Sequence, residues 1–426
     1  MSDTRSGQVP ERTPDWQRGF DRMWQQLHPV GRVASTGGYR RFAWTREDHT
    51  LREWFAGQCQ ARGLTVVEDR AGNQWGWSGD PDHTPGLVLG SHLDSVADGG
   101  GYDGPLGVVS AFAAWDLLQD SGFTPSMPIG IANFGDEEGA RFGVACAGSR
   151  LLTGVLEPSR ARSLRDDDGV TLDHALRVAG RDPQALGPDP QALARVAAYL
   201  EVHIEQGRAL SAEPEDPQGD PSTWDPARAV AVGTEIWPHG RWQIDLHGEA
   251  NHAGTTRLED RVDAMLEFAS VVASARVLAR EAGCVATVGK VIARPNAINA
   301  IPEHVTAWLD ARGPDADAVR GLVAALRAEL ADHEAGGTLQ QDSWTPATVF
   351  DTVLRQRIST VLPDAPLLAT GAGHDAGILA NAGIPTAMLF VRNPTGVSHS
   401  PQEWAADADC HTGVRALAAV VRELAG

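Results

Sequence analysis

Short apolar runs that alternate with helix-patterned segments constrain this chain more than any other feature. Residues 64–68, 86–89 and 128–134 are apolar stretches of strand length. Between and around them, residues 46–62 place Leu51, Trp54, Phe55 and Cys59 on one helical face, and 107–119 repeats a helical pattern. Strands alternating with helices predict an α/β domain built on a mainly parallel central sheet. The pattern changes after 212–226, a stretch rich in Pro and Asp that reads as an exposed loop. Residues 242–246 alternate like a half-buried strand, 260–279 read as a helix, 285–292 and 305–310 as strands, and 319–331 as a second helix. That order predicts a small α+β, ferredoxin-like sandwich. The α/β pattern then resumes, with strands at 367–369 and 386–390 and a closing helix at 412–424. The expected organisation is one larger domain, 1–233 and 342–426, interrupted by an inserted domain, 234–341. No internal repeat is present.

At 426 residues the chain exceeds what one hydrophobic core usually serves. Its formal charge of −20 repels nucleic acid and anionic membrane surfaces, so neither is expected as a partner. The same charge means that an anionic small molecule would need a local Arg to hold it. Cys59, Cys146, Cys284 and Cys410 are far apart and form no Cys-x-x-Cys pair, which reads as reduced thiols in the cytoplasm. Residues 1–16 are polar and lack the apolar core of a secretory signal. No run of about 18 apolar residues predicts a membrane span.

Four segments carry chemistry, and each follows an apolar run. GSHLDSVADGGGYDGPLG (90–107) sets His92 and Asp94 two apart, on the same side of an extended backbone, so that Asp94 can orient the His92 imidazole. Asp103 sits in a Gly-rich loop that can bend it back to the same point. The glycines lack the Lys-Ser/Thr or Gly-x-Gly-x-x-Gly context of a phosphate loop. NFGDEEGARFG (133–143) puts Glu137 and Glu138 on one turn, pointing apart, so one can bind a metal while the other stays free as a base. EVHIEQG (201–207) contributes His203, and PTGVSHSPQEW (394–404) contributes His399. Singly, each has a structural reading: a satisfied core histidine or a solvated acidic turn. Together, His and carboxylate donors at four strand ends suit Zn2+ or a similar first-row ion, and one carboxylate can bridge two ions.

These motifs resemble those of the M20-type metallopeptidase superfamily. The resemblance runs in order from about Gly37 to the C-terminus and includes GEANHAGTT (248–256), NAIP (299–302), LDAR (309–312) and GAGHDA (371–376). Glu-Glu-Gly-x-Arg-Phe and His-x-Glu-Gln-Gly are similar to the branch of allantoate amidohydrolases, N-carbamoyl-L-amino-acid hydrolases and β-ureidopropionases. The resemblance implies two divalent ions per subunit, Zn2+ or Mn2+ first and Ni2+ or Co2+ next. Asp103 would bridge them, with His92 and His203 on one and Glu138 and His399 on the other. Glu137 would be the general base. The inserted domain would be a lid and homodimerisation domain, bringing His252 to stabilise an oxyanion. Arg312 would hold a substrate carboxylate, with Gln206, His239, Asn299 and the backbone of Gly371, Ala372 and Gly373 nearby. The implied reaction is hydrolysis of a carbamoyl or ureido C–N bond in a small carboxylate, allantoate before N-carbamoyl-L-amino acids.

The chain departs from the family pattern in its long 212–226 loop, in Arg257 where Pro is common after Gly-Thr-Thr, and in His239 where Gln is common. The last two bear on substrate choice. A peptidase of the same superfamily is the competing enzyme reading, although relatives that cut peptides usually lack the Gln of His-Ile-Glu-Gln-Gly. A non-catalytic binding protein would have lost a ligand or the base, and every such position is filled.

Overall fold

The computed structural model describes residues 13–211, 225–332 and 337–426. Most of the expected 212–226 loop, and residues 1–12 of the N-terminal segment, lie outside them. Two compact units divide the chain: 1–234 with 350–368 and 373–426, and 235–349 with 369–372.

In chain order the strands of the first unit begin with β1 (Thr65–Glu68), β2 (Gln74–Ser78), β3 (Gly86–His92), β4 (Ile129–Phe134), β5 (Val196–Ile204) and β6 (Val230–Ile236), along which the chain leaves it. The second unit holds β7 (His239–His247), β8 (Asn251–His252), β9 (Val285–Arg294), β10 (Ala300–Ile301), β11 (His304–Arg312), β12 (Gly337–Thr345) and β13 (Thr348–Val349). The chain re-enters the first unit at Phe350 and runs through β14 (Leu367–Thr370), whose last two residues group with the second unit, to β15 (Thr386–Val391).

At the centre of the first unit β4, β3, β5 and β15 lie side by side, all parallel. Antiparallel strands flank this core, β2 against β4 and β6 against β15. Every residue of β3, β4 and β15 is buried. A parallel strand covered on both faces must be apolar throughout, which is why these runs show no alternation. Helix Pro105–Asp120 packs on β3, β4 and β5, with helices Asp15–Leu27 and Asp407–Ala425 beside it. It is apolar on nearly all sides, as a fully enclosed helix must be. Gly107 lets it approach the sheet: a Cβ there would lie 2.3 Å from the Val202 carbonyl oxygen.

The second unit is a four-stranded antiparallel sheet of order β12-β7-β11-β9 with helices Ala264–Glu281 and Ala316–Asp332. Numbered within the unit, that is the 4-1-3-2 order of a ferredoxin-like sandwich. Trp242, Ile244 and Leu246 of β7 and Val305, Ala307, Leu309 and Ala311 of β11 form its core with the two helices. The helix expected from residue 260 starts at Ala264, because the Asp263 side chain caps it by accepting from the Met265 amide.

Arg392, just past β15, pairs bidentately with Asp409 of the last helix, both bonds 2.8 Å and both side chains buried. Removing one partner strands a buried charge. Asp409→Ala is expected to cost roughly 3–5 kcal/mol, read as a lowered urea midpoint; an unchanged midpoint would show the pair to be dispensable.

Candidate metal centre

Because β4, β3, β5 and β15 are parallel neighbours, their C-terminal ends form one edge, where open α/β sheets present their sites. His92 is the last residue of β3, and Glu137 and Glu138 follow β4. His203 lies within β5, next to its end, and His399 follows β15. Asp103 occupies the loop from β3 into helix Pro105–Asp120. Gly104 makes that loop possible with φ +84°, and a Cβ there would sit 2.4 Å from the His92 ring.

The donors meet around Asp103. Its Oδ1 lies 3.0 Å from His203 Nε2 and 3.5 Å from His92 Nε2. Its Oδ2 lies 3.3 Å from His399 Nε2, which is 3.4 Å from Glu138 Oε2. Two groups of possible ligands, His92–Asp103–His203 and Asp103–Glu138–His399, therefore share one carboxylate. Glu137 faces His92 at 3.8 Å from its own Oε2 and belongs to neither group. Gln206 Nε2 donates to Asp103 Oδ2 at 2.8 Å.

These residues fit a divalent ion. His92 Nε2, His203 Nε2 and Glu138 Oε1 are buried with no hydrogen-bond partner among the described residues. Ligands held tetrahedrally at about 2.0–2.1 Å stand roughly 3.4 Å apart, close to the separations found. The charges also call for cations. Burial pushes the Glu138 carboxyl up, helped by Asp103 and opposed by His399, to about 7. Glu137 is likewise raised well above the usual carboxylate range by burial, against the pull of His92. Asp103 goes the other way: burial would raise it, but His203, His399 and His92 hold it well below the ordinary value. His399 is raised to about 9, chiefly by its hydrogen bond with Asp103. With protein groups alone, the imidazoles supply the positive charge these acids require.

Several groups around the site do more than the sequence reading assigns them or have no role in it. Asp94 does stand by His92, 3.3 Å from Nδ1, but its two oxygens also accept from the backbone amides of Glu137 (3.1 Å) and Glu138 (3.0 Å). It thereby holds the Glu-Glu turn against β3. Cys146 Sγ donates to Glu137 Oε1 at 3.3 Å. Behind the histidines, His374 packs edge-on to His203 at 4.5 Å between ring centroids, and burial, then the neighbouring His203, keeps it well below its usual pKa. Asp375 accepts from Ser149 at 2.5 Å, and Glu201 accepts from Ser91 at 2.8 Å and from the Ala376 amide at 3.1 Å. Among these, Asp94 is expected beside His92 from the sequence, and Ser91, Glu201, His374 and Asp375 lie within the motifs described above, whereas Cys146 and Ser149 carry no such signal.

The remaining candidates, Gly373 of the first unit apart, lie in the second unit. Arg312 and His239 are directly paired across β11 and β7. Arg312 binds Asp310 through Nε and one terminal nitrogen, both at 2.7 Å, and donates to the Gly371 carbonyl at 2.7 Å. A guanidinium has five N–H groups, so two remain. His239 Nδ1 bonds the Trp237 carbonyl at 3.0 Å. The Ala372 amide donates to Thr370 Oγ1 at 3.0 Å, so it is already engaged within its own turn. Exposed His252 and Asn299 belong to the β8–β10 ribbon region, where the Ala253 amide donates to the Asn299 carbonyl. His252 Nδ1 accepts from the Gly254 amide at 3.0 Å, which leaves the proton on Nε2. Arg257 pairs locally with Asp260.

The family model for peptidase family M20/M25/M40 matches residues 88–423. The chain is 37% identical to the N-carbamoyl-L-amino acid amidohydrolase of Geobacillus stearothermophilus, over 95% of this chain and 98% of that protein. It is 30% identical to the allantoate amidohydrolase of Escherichia coli, over 91% and 93%. Among solved structures, it is similar to a hydantoinase/carbamoylase family amidase from Burkholderia vietnamiensis (29% identity, TM-score 0.82, 97% and 98% covered). It is also similar to AtUAH in complex with (S)-hydroxyglycine (25% identity, TM-score 0.80, 96% and 97% covered).

Asp94→Asn replaces one accepting oxygen with a donor facing a backbone N–H. Metal affinity of the variant is expected to fall ~10–100-fold, measured by calorimetric titration of stripped protein with Mn2+. Equal affinity in variant and parent would mean the Glu-Glu turn holds without the clamp.

Proposed function

Since the chain belongs to peptidase family M20/M25/M40, in its hydantoinase/carbamoylase branch, we propose that it hydrolyses the carbamoyl or ureido C–N bond of a small carboxylate. It is a metal-dependent amidohydrolase acting on C–N bonds. The observation that carries the finer reading is the pair of donor groups sharing Asp103, with Glu137 beside them and outside both. His92 and His203 would hold one divalent ion, Glu138 and His399 the other, and Asp103 both; Zn2+ and Mn2+ suit the donors first, then Ni2+ and Co2+. Such ions, when bound, supply Lewis acidity toward a carbonyl oxygen and toward water.

The chain's own residues supply the rest. Glu137 is buried beside the donor groups, and the Cys146 thiol donates to its carboxylate. It takes the proton of the attacking water and returns it to the leaving nitrogen. His252, protonated on Nε2, donates to the oxyanion. Arg312 uses its two remaining N–H groups on the substrate carboxylate, with Gln206, His239, Asn299 and the Gly371–Gly373 turn contacting the polar remainder. The first unit is then the catalytic domain, and the second a lid through which a homodimer forms. The edge position of β9, with Val285, Val291 and Ile292 exposed, supports that interface. The four cysteines are unpaired, and a cytoplasmic setting is proposed with them.

Relatives acting on N-carbamoyl-L-amino acids (37% identical) and on allantoate (30%) both support this class of substrate, and the motif resemblance puts allantoate first. Ammonia release from each compound, with Mn2+ supplied after chelation, separates the two; turnover of neither, with cleavage of dipeptides, would replace this reading by a peptidase. Glu137→Gln should retain metal and lose about 10²–10⁴-fold in kcat. Undiminished kcat in that variant would remove Glu137 from the base role.

A further inference from the structure

Glu403 belongs to no metal-ligand group, yet it joins the two loops that carry Asp103 and His399. It is buried, with 5% of its surface exposed. Its Oε1 accepts from the backbone amides of both Tyr102 and Asp103, each at 2.9 Å. Its Oε2 accepts from Ser398 Oγ at 2.9 Å, one residue before His399. Ser398 Oγ also lies 3.3 Å from Asp103 Oδ2. A hydroxyl has one proton, and the shorter contact assigns it to Glu403. The loop backbone lies hard against this carboxylate: a Cβ on Gly100 would come within 2.4 Å of Glu403 Oε1. Helix Asp407–Ala425 follows directly, so Glu403 is anchored from the C-terminal side.

Asp103 and His399 lie far apart in sequence, and neither loop has regular structure to set its register against the other. His399 is also the most exposed of the donors, its side chain 49% accessible. Two amides and one hydroxyl on a single buried carboxylate fix the separation of the two loops. From these contacts we propose that Glu403 is a positioning residue, which sets Asp103 and His399 at the spacing needed to bind divalent ions. The inference rests on the metal reading of this site.

The test uses the full chain, stripped by chelation and titrated with Mn2+ by calorimetry, with melting of the metal-free protein followed in parallel. The wild-type protein should bind Mn2+; no binding would overturn the metal reading and this inference with it. Glu403→Ala should fold and lose ~10–100-fold in affinity, the usual effect of removing a group that orients ligands. Glu403→Gln keeps Oε1 for the two amides and can donate from its nitrogen to Ser398 Oγ, so it should recover most of the affinity. Wild-type affinity in Glu403→Ala, or Glu403→Gln binding as weakly as Glu403→Ala, would overturn the proposal while leaving the metal reading intact. Should Glu403→Ala fail to fold, Ser398→Ala carries the test: it cuts the tie to the His399 loop, weaker Mn2+ binding supports the proposal, and unchanged binding overturns it.

Discussion

Asp103 faces three imidazoles at 3.0–3.5 Å in a space from which water is largely excluded, with Glu137 and Glu138 close by. Carboxylates so placed cannot all keep their charge unless cations stand among them. Much of the surrounding structure answers that requirement. The histidines point inward, Gln206 donates to the shared carboxylate, and backbone amides are directed onto Asp94 and Glu403 rather than toward solvent. A site of this kind stores its specificity for metal in the fixed spacing of unlike donors, since nearly any first-row ion would satisfy the charge.

The parallel sheet provides the spacing. Neighbouring strands bring His92, His203 and the segments bearing Glu137, Glu138 and His399 to one edge without any of these residues being near the others in sequence. Loops then carry the finer adjustment, and they are held in demanding conformations. Asp136, Cys146 and His399 all take positive φ, at 56°, 54° and 54°. Non-glycine residues hold such angles only where their surroundings compel them, and compelled loops tend to occur at sites. Next to Asp136 the Asp94 carboxylate accepts from the Glu137 and Glu138 amides, the Cys146 amide bonds the Glu137 carbonyl, and next to His399 the Glu403 carboxylate accepts from Ser398 Oγ.

What the sequence makes legible follows from how local each signal is. Apolar runs reveal β3, β4 and β15 because strands buried on both faces have no polar positions. The β2 strand hides in Gln-Trp-Gly-Trp-Ser, where a polar residue and a glycine break the run although four of its five residues are buried. Strand β12 hides for the opposite reason: among its nine residues only Leu339 is buried, so no hydrophobic pattern marks it. At the site, the donors stand in conspicuous motifs at strand ends, and the structure brings His92, Asp103, Glu137, Glu138, His203 and His399 together. The supporting contacts leave no such trace. Asp94 binding the Glu137 and Glu138 amides, Cys146 on Glu137, and Glu403 on Tyr102 and Asp103 are hydrogen bonds between segments that only tertiary structure makes neighbours.

The position of β15 has a consequence for how this protein comes into being. It is the last strand in the chain but lies in the interior of the sheet, between β5 and β6, which precede it. Until the ribosome has released it, β5 and β6 present unsatisfied backbone edges to each other across a gap one strand wide. That gap invites any extended segment of another nascent chain. Closing it requires contacts of long sequence separation, the kind that slows folding. His399 follows on the same stretch, so the cluster of side chains around Asp103 is complete only after this late insertion. A chain ending before β15 would therefore leave the edges of β5 and β6 open and lack the imidazole of His399 beside Asp103.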